Sequence, residues 1–360
     1  MMTSSIRTLN RTMLLACSPF IAVLLWLMVT NISITLPDSS FPEASYDQKE
    51  NASSEQASSV ANGLDAARSI AAETSASIKK QLRLYNQTNA DMKQIVTTAT
   101  AQANRPLAVY DKIITGKLGN PSGTINSDKL RAQLFYIQAD HFQSYVLKIK
   151  LKSSDAMKMV LGKDKAGGSE TTLAAVQRYG AVAGVNAGGF ADGGGKRYPL
   201  STTVLNGQYV NGFEPTRSDL FFVGLNENNQ LVGGKYTNKQ QLDSLDVKFG
   251  ASFVPVLLKN GNATTIPTKW QLSPVRAPRT VIANYKDGQL LIIVADGRNE
   301  GGSSGATLTE MQILLKRFGA VDGYNLDGGG SSSLIWNGRV INKPSDGQLR
   351  KLPTHFLFFK

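Results

Sequence analysis

Two twelve-residue segments constrain the fold of this chain more than any other feature. Residues 178–189 read RYGAVAGVNAGG and residues 317–328 read RFGAVDGYNLDG, identical at seven of twelve positions. Each reads as a helix end, a capping glycine, a short buried strand, then Asn and a glycine turn. The first helix covers about 169–179 and ends at Gly180. The second begins at Thr307, where TLTE can close a capping box with Glu310. It carries Leu308, Met311, Leu315 and Phe318 on one face and ends at Gly319. Convergence also explains some likeness, because any helix-to-strand passage favours glycine and small apolar residues. If the two units are related by pseudo-symmetry, both turns should open on one cleft. In this alignment Asn186 matches Asn325, but Gly188 matches Asp327, so only one turn brings a carboxylate.

Between and around these units the pattern is that of strands. Residues 141–152, HFQSYVLKIKLK, alternate with period two. The turn signals LNGQ, NENNQ, KNGN, KDGQ and WNGR recur and predict hairpins. The expected fold class is α+β, a mixed, mostly antiparallel sheet with a few packed helices, preceded by a transmembrane helix and a helical stalk.

The N-terminal third supplies that anchor and stalk. Residues 12–30 form a run of 19 residues without charge, preceded by Arg7 and Arg11. About 20 apolar residues span a bilayer, and the arginines predict a cytoplasmic tip with the rest of the chain outside. A cleaved signal peptide is the rival, but no small-x-small site closes the run. LLAC resembles a lipoprotein motif, yet the apolar run lies mostly after Cys17. Residues 38–62, rich in Ser, Ala, Glu and Gln, predict a flexible linker. Ile78, Leu82, Tyr85, Asn89, Met92 and Val96 then step by 4, 3, 4, 3 and 4, a short heptad seam with one polar member. The seam either self-associates or lies on the next domain. The proline of RPLAVY marks a boundary, giving 1–36 as tip and anchor, 37–105 as linker and stalk, and 106–360 as the main folded domain.

Composition narrows the chemistry. The formal charge is +12, of which residues 1–105 contribute +1 (9 Lys/Arg, 8 Asp/Glu) and the remainder +11 (30 and 19). A basic folded domain favours anionic partners. Cys17 is the one cysteine and His141 and His355 are the two histidines, which leaves little room for thiol chemistry or a multi-histidine zinc site. The stretch NLDGGGSSSL places Asp327 before three glycines and three serines. Consecutive glycine amides can form an anion-binding nest, beside which a carboxylate is not itself the anion's ligand. Asp296, Gly297 and Arg298 end an apolar strand ahead of a Gly/Ser loop, and Arg276 and Arg279 precede another strand. Singly, each reads equally well as a turn residue or surface charge. Together, Asn186, Arg279, Asp296, Arg298 and Asp327 all lie at strand margins beside glycine.

The segments GVNAGGFAD, PRTVIA, VADGR, TLTEMQILLKRFGAVDGYNLDGGGSSSL and NKPSDG together resemble the phosphodiester glycosidase family over roughly residues 140–360. The resemblance implies cleavage of the glycosidic bond of a sugar-1-phosphodiester. On that basis Asp327 works on the sugar side with Asp296 as partner carboxylate, and Asn186 joins the catalytic set. Arg279 and Arg298 hold the phosphate, while Gly328, Gly329, Gly330, Ser331, Ser332 and Asn325 add to substrate binding. Where the family carries NGGFF or NAGFF this chain has NAGGF, so Phe190 stands alone and stacking on the sugar is in doubt.

The expectation is a single-pass membrane enzyme whose catalytic domain is extracellular. Its substrate would be an anionic glycan or teichoic-type polymer, with no nucleic acid partner. No cofactor is certain; a divalent cation held by the carboxylates stays open. The alternative is a non-catalytic binding module for an anionic wall or capsule polymer. A serine hydrolase lacks its G-x-S-x-G elbow.

Overall fold

The computed structural model describes residues 49–217, 219–297 and 304–360. The apolar run at 12–30 and Arg298 lie outside the described residues. Among those described, no helix is long and apolar enough to cross a membrane. The chain divides into two compact units, residues 1–94 and 95–360.

One helix, Lys49–Leu118, runs through the region expected to be a linker and stalk. Residues 49–62 are helical rather than flexible. Their Ala, Glu and Gln are good helix formers even though they offer nothing to bury. The helix also passes Pro106, where a break was expected. An interior proline costs roughly 3 kcal/mol, and the turns beyond it are pinned. Ile114 and Leu118 are buried against Phe135, Phe142 and Val146. Lys148, almost wholly buried on its strand, donates to the Asp111 carboxylate and, at 2.7 Å, to Thr115 Oγ1.

The second unit is helices on antiparallel sheets, and among the described residues every strand pairing is antiparallel rather than mixed. The largest sheet has eight strands in the order Gly123–Asn126, Leu130–Gln138, Gln143–Leu151, Leu290–Ala295, Arg279–Asn284, Asp322–Leu326, Val256–Lys259, Asn262–Ala263. A five-stranded sheet follows the order Arg339–Val340, Leu334–Trp336, Ala183–Asn186, Thr354–Phe358, Met157–Leu161. Another has Leu231–Gly234, Phe221–Asn226, Val247–Phe253, Val204–Leu205 and Gln208–Tyr209. One face of the large sheet (Ile282, Ile292, Leu326) shares a core with Val185, Phe356, Phe221 and Phe249 of the other two. Its other face (Val281, Ile293, Leu257) packs on Met311, Leu315 and Phe318 of the helix Leu308–Phe318. Burial on both faces explains why Leu290–Ala295 is uniformly apolar instead of alternating.

The hairpins lie where the turn signals predict them. Asn206–Gly207, Asn260–Gly261 and Asn337–Gly338 all have positive φ at both positions, as two-residue turns between right-twisted strands require. The two twelve-residue units are the same structure. Helix Thr172–Tyr179 ends at Gly180 (φ 63°) and leads into Ala183–Asn186; helix Leu308–Phe318, with its capping box in place, ends at Gly319 (φ 85°) and leads into Asp322–Leu326.

Candidate active site

The ends of the two duplicated strands meet. Asp327 donates its amide to Ala187 O at 3.2 Å, and the Asn186 side chain donates Nδ2 to Asp327 O at 2.6 Å. Asn186 Oδ1 accepts from Thr280 Oγ1 at 2.9 Å and from Ser333 N at 3.0 Å. Asn186 is fully buried with its amide satisfied at both ends. It therefore joins three chain segments around Asp327 and is a positioning residue. Behind it, Ser333 Oγ lies 2.7 Å from Thr172 Oγ1, which lies 3.1 Å from His355 Nδ1. Burial pushes the His355 ring down to about 4, so this network is neutral near pH 7.

Asp327 is half-buried, and its Oδ2 is enclosed with no hydrogen-bond partner among the described residues. Desolvation raises its carboxyl to about 6, opposed by Ser331, Arg350, the Gly328 main chain and Arg197. A carboxylate left charged and incompletely bonded in such a place is a familiar signature of a working group.

A cleft of about 740 Å³ is lined by Lys196, Arg197, Arg350 and Lys351, with Asp192 and Asp346 among them; Asp327 is not in its lining but interacts electrostatically with Arg350 and Arg197. Arg350 reaches the Asp327 loop through Nη1 to Ser331 Oγ at 3.3 Å, while its Nη2 bonds Asp346 at 2.6 Å. Arg197 is gripped by Asp192 through Nε and Nη2 at 2.7 and 3.0 Å, which raises the guanidinium's pKa with a further contribution from Asp327. Its guanidinium lies over the Phe190 ring, 4.1 Å from the centroid. The aromatic whose stacking partner was in doubt thus supports an arginine.

Several of the residues singled out in the sequence bond to protein groups in the structure. Gly329 N donates to Pro278 O at 2.8 Å, and Ser331 and Ser332 N donate to Gly328 O and Gly329 O at 3.1 Å each. The first of these amides is taken up by a neighbouring segment and the other two by the loop's own turn. Gly330 lies under the Arg350–Asp346 pair, where an added Cβ would come within 2.1 Å of Arg350 Nη2 and Asp346 Oδ2 and displace these side-chain ends. Ser331 and Ser332 are buried, with Ser331 Oγ turned to Arg350. Asn325 is buried and donates Nδ2 to Val254 O at 2.6 Å.

Arg279 is buried and donates Nε to Ala306 O at 3.1 Å and Nη2 to Pro274 O at 3.0 Å. It ties loops together. Asp296 is 1% exposed; Oδ1 accepts from Lys343 N at 2.8 Å and Oδ2 from Tyr145 Oη at 3.0 Å. Desolvation raises its carboxyl as well. Both its oxygens face protein, and it fixes the segment carrying Asn342, which donates to Ser332 O at 3.0 Å. Sequence reasoning missed Arg197, Arg350 and their carboxylates; the basic pairs in GGGKRYP and GQLRK were the available signal. Among the described residues no cluster of three or more His, Cys, Asp or Glu could hold a metal ion.

The profile of the phosphodiester glycosidase family matches residues 179–359. An SPbeta prophage-derived uncharacterized protein of Bacillus subtilis, YomE, is 29% identical over 222 residues, 56% of this chain and 34% of its own length. Mouse N-acetylglucosamine-1-phosphodiester alpha-N-acetylglucosaminidase is 39% identical over 72 residues, 20% of this chain and 14% of its own length. The chain therefore spans about a third or less of these relatives. The zebrafish catalytic domain of the same enzyme, solved auto-inhibited by its pro-peptide, shares the fold with TM-score 0.54 and 17% identity, over 67% of this chain and 87% of that one.

Proposed function

We propose, since the chain belongs to the phosphodiester glycosidase family, that it hydrolyses the bond between a sugar's anomeric carbon and the oxygen of a phosphodiester. The observation that carries this reading is the desolvated Asp327 carboxylate in electrostatic reach of Arg197 and Arg350, which line a cleft.

In such a reaction the C1–O bond breaks, the phosphomonoester leaves with the bonding electrons, and water supplies the hydroxyl that ends on C1. The leaving group is a stable anion, so it needs cationic donors more than a proton. Arg350 and Arg197, each oriented by a carboxylate, supply fixed forks for its oxygens. Asp327 supplies the negative charge that a developing oxocarbenium ion requires. Asn186, Asp296 and Arg279 hold the frame from behind.

The domain's excess of positive charge supports an anionic substrate, a cell-surface or extracellular glycan of the teichoic type. The Arg-flanked apolar run at 12–30 supports a membrane-anchored enzyme facing outward. Protease treatment of intact cells should then release the catalytic domain. Its protection until lysis would reverse the orientation.

The deciding assay sets the purified chain against sugar-1-phosphodiesters and aryl glycosides of the same sugars. Turnover of the phosphodiesters is expected. Turnover of the aryl glycosides alone would remove the phosphate from the mechanism, and binding without turnover of either would leave a carbohydrate-binding module.

A further inference from the structure

The seam on the long helix has no partner among the described residues. Ile78, Leu82, Tyr85, Met92 and Val96 are 57% to 65% exposed although they lie in one row. Their 4-3 spacing places Ile78, Tyr85 and Met92 at heptad d positions and Leu82, Asn89 and Val96 at a positions. Ile95 at a g position widens the row, and Leu84 lies off it. At about 1.5 Å per residue the row extends roughly 27 Å.

We infer that this seam pairs with the same seam of a second copy of the chain, as a parallel, in-register two-stranded coiled coil. Three features select that occupant. The first is Asn89. A lone Asn at an a position costs stability against most partners, but in parallel register it meets its own copy and the two amides bond each other, which fixes register and strand number.

The second is charge. The e positions are Lys79, Asn86 and Lys93, and the g positions before them are Thr74, Gln81 and Thr88. A parallel pair sets each lysine against a threonine hydroxyl. An antiparallel pair, in which e faces e, sets Lys79 against Lys93 and is disfavoured by like charge.

The third is width. The row is two residues per heptad, interrupted at its middle by an amide. A helix lying on a lipid surface presents a broader apolar face.

The test uses the full chain with Cys17→Ser, so that introduced thiols are the sole ones. Leu82→Cys sits on the seam and Gln87→Cys on the opposite face. Mild oxidation of the purified protein in detergent should give a disulfide-linked dimer from Leu82→Cys and little from Gln87→Cys. Absence of linkage at position 82, or equal linkage at both, overturns the proposal. An antiparallel pair or a lipid-facing helix gives that negative result, since neither brings two copies of residue 82 together. In parallel, Leu82→Glu with Met92→Glu should convert the sedimenting dimer to monomer while leaving turnover by the separate catalytic site unchanged. A dimer that survives this double substitution also overturns the proposal.

Discussion

The side-chain amide of Asn186 donates to the main-chain carbonyl of Asp327 at 2.6 Å, joining the end of one duplicated strand to the carboxylate-bearing end of the other. Its carbonyl oxygen meanwhile accepts from Thr280 and Ser333. One buried side chain thereby sets where the main chain of Asp327 stands. Asn186→Ala leaves a carbonyl, a hydroxyl and an amide short of partners, each costing about 1–3 kcal/mol when buried. The expected outcome is a marked fall in melting temperature and a tenfold or greater loss of kcat with KM little changed. A folded Asn186→Ala protein with full kcat would free Asp327 from this dependence.

Asp327→Asn keeps the shape of the side chain and removes its charge. Turnover of a sugar-1-phosphodiester should fall by roughly 10²–10⁴-fold if the carboxylate does acid–base work, and further if it is the nucleophile. Melting at pH 7 should not fall, because the wild-type fold holds an ionised group that burial disfavours. Near-wild-type turnover would reduce Asp327 to a loop residue.

Arg350→Ala and Arg197→Ala should each lower kcat/KM for phosphodiesters by about 10–10³-fold, the range for a lost charge-stabilising donor. Aryl glycosides of the same sugar should be far less affected. Equal losses on both substrates would place the arginines in general structure, and circular dichroism separates that outcome from unfolding.

Two buried groups give opposite pH slopes. Asp327 is raised from 3.8 to about 6, so the folded state holds its proton more tightly, and its contribution to stability is lost as pH rises across that interval. His355 is lowered from 6.5 to about 4, so its contribution is lost as pH falls across that interval. Calorimetry of His355→Gln should expose the first slope, with melting temperature falling as pH rises from about 4 to 6. Asp327→Asn should expose the second, with melting temperature climbing. Identical pH profiles for the two variants would contradict both assignments.

The activity itself should rise with pH through about 6, because an anionic leaving group asks for ionised rather than protonated Asp327. A rate that declines through that point would cast Asp327 as the proton donor.

The elements legible in the sequence were those written in local chemistry. Thr307 with Glu310, the glycines at 180 and 319, and the Asn-Gly turns each specify their own backbone, and each is found in place. The approach of Asp327 to Asn186 was legible only because the two segments repeat. What sequence could not give was the direction of each side chain at a strand margin. Arg279, Asp296 and Asn325 sit at such margins and bond to protein groups, whereas Arg197, on the short strand Lys196–Pro199, and Arg350, in a loop, line the cleft. In the glycine loop the fold closes Gly329 N onto Pro278 O, a long-range bond no local reading gives. The helix turns past Pro106 are bonded to Lys148, some forty residues downstream, which no local reading includes.

The duplicated unit also carries its own asymmetry in the backbone. Asp327 has as its counterpart Gly188, where a Cβ would lie 2.5 Å from Ala251 Cβ and 3.0 Å from Ser252 O. No side chain, acidic or otherwise, can be acquired there without displacing the neighbouring sheet. A lineage that copied this helix–strand module could therefore diversify one terminus into chemistry only by committing the other to masonry. Descendants are free to retune the surroundings of Asp327, but a matching carboxylate at the pseudo-symmetric position is closed to them by single substitutions.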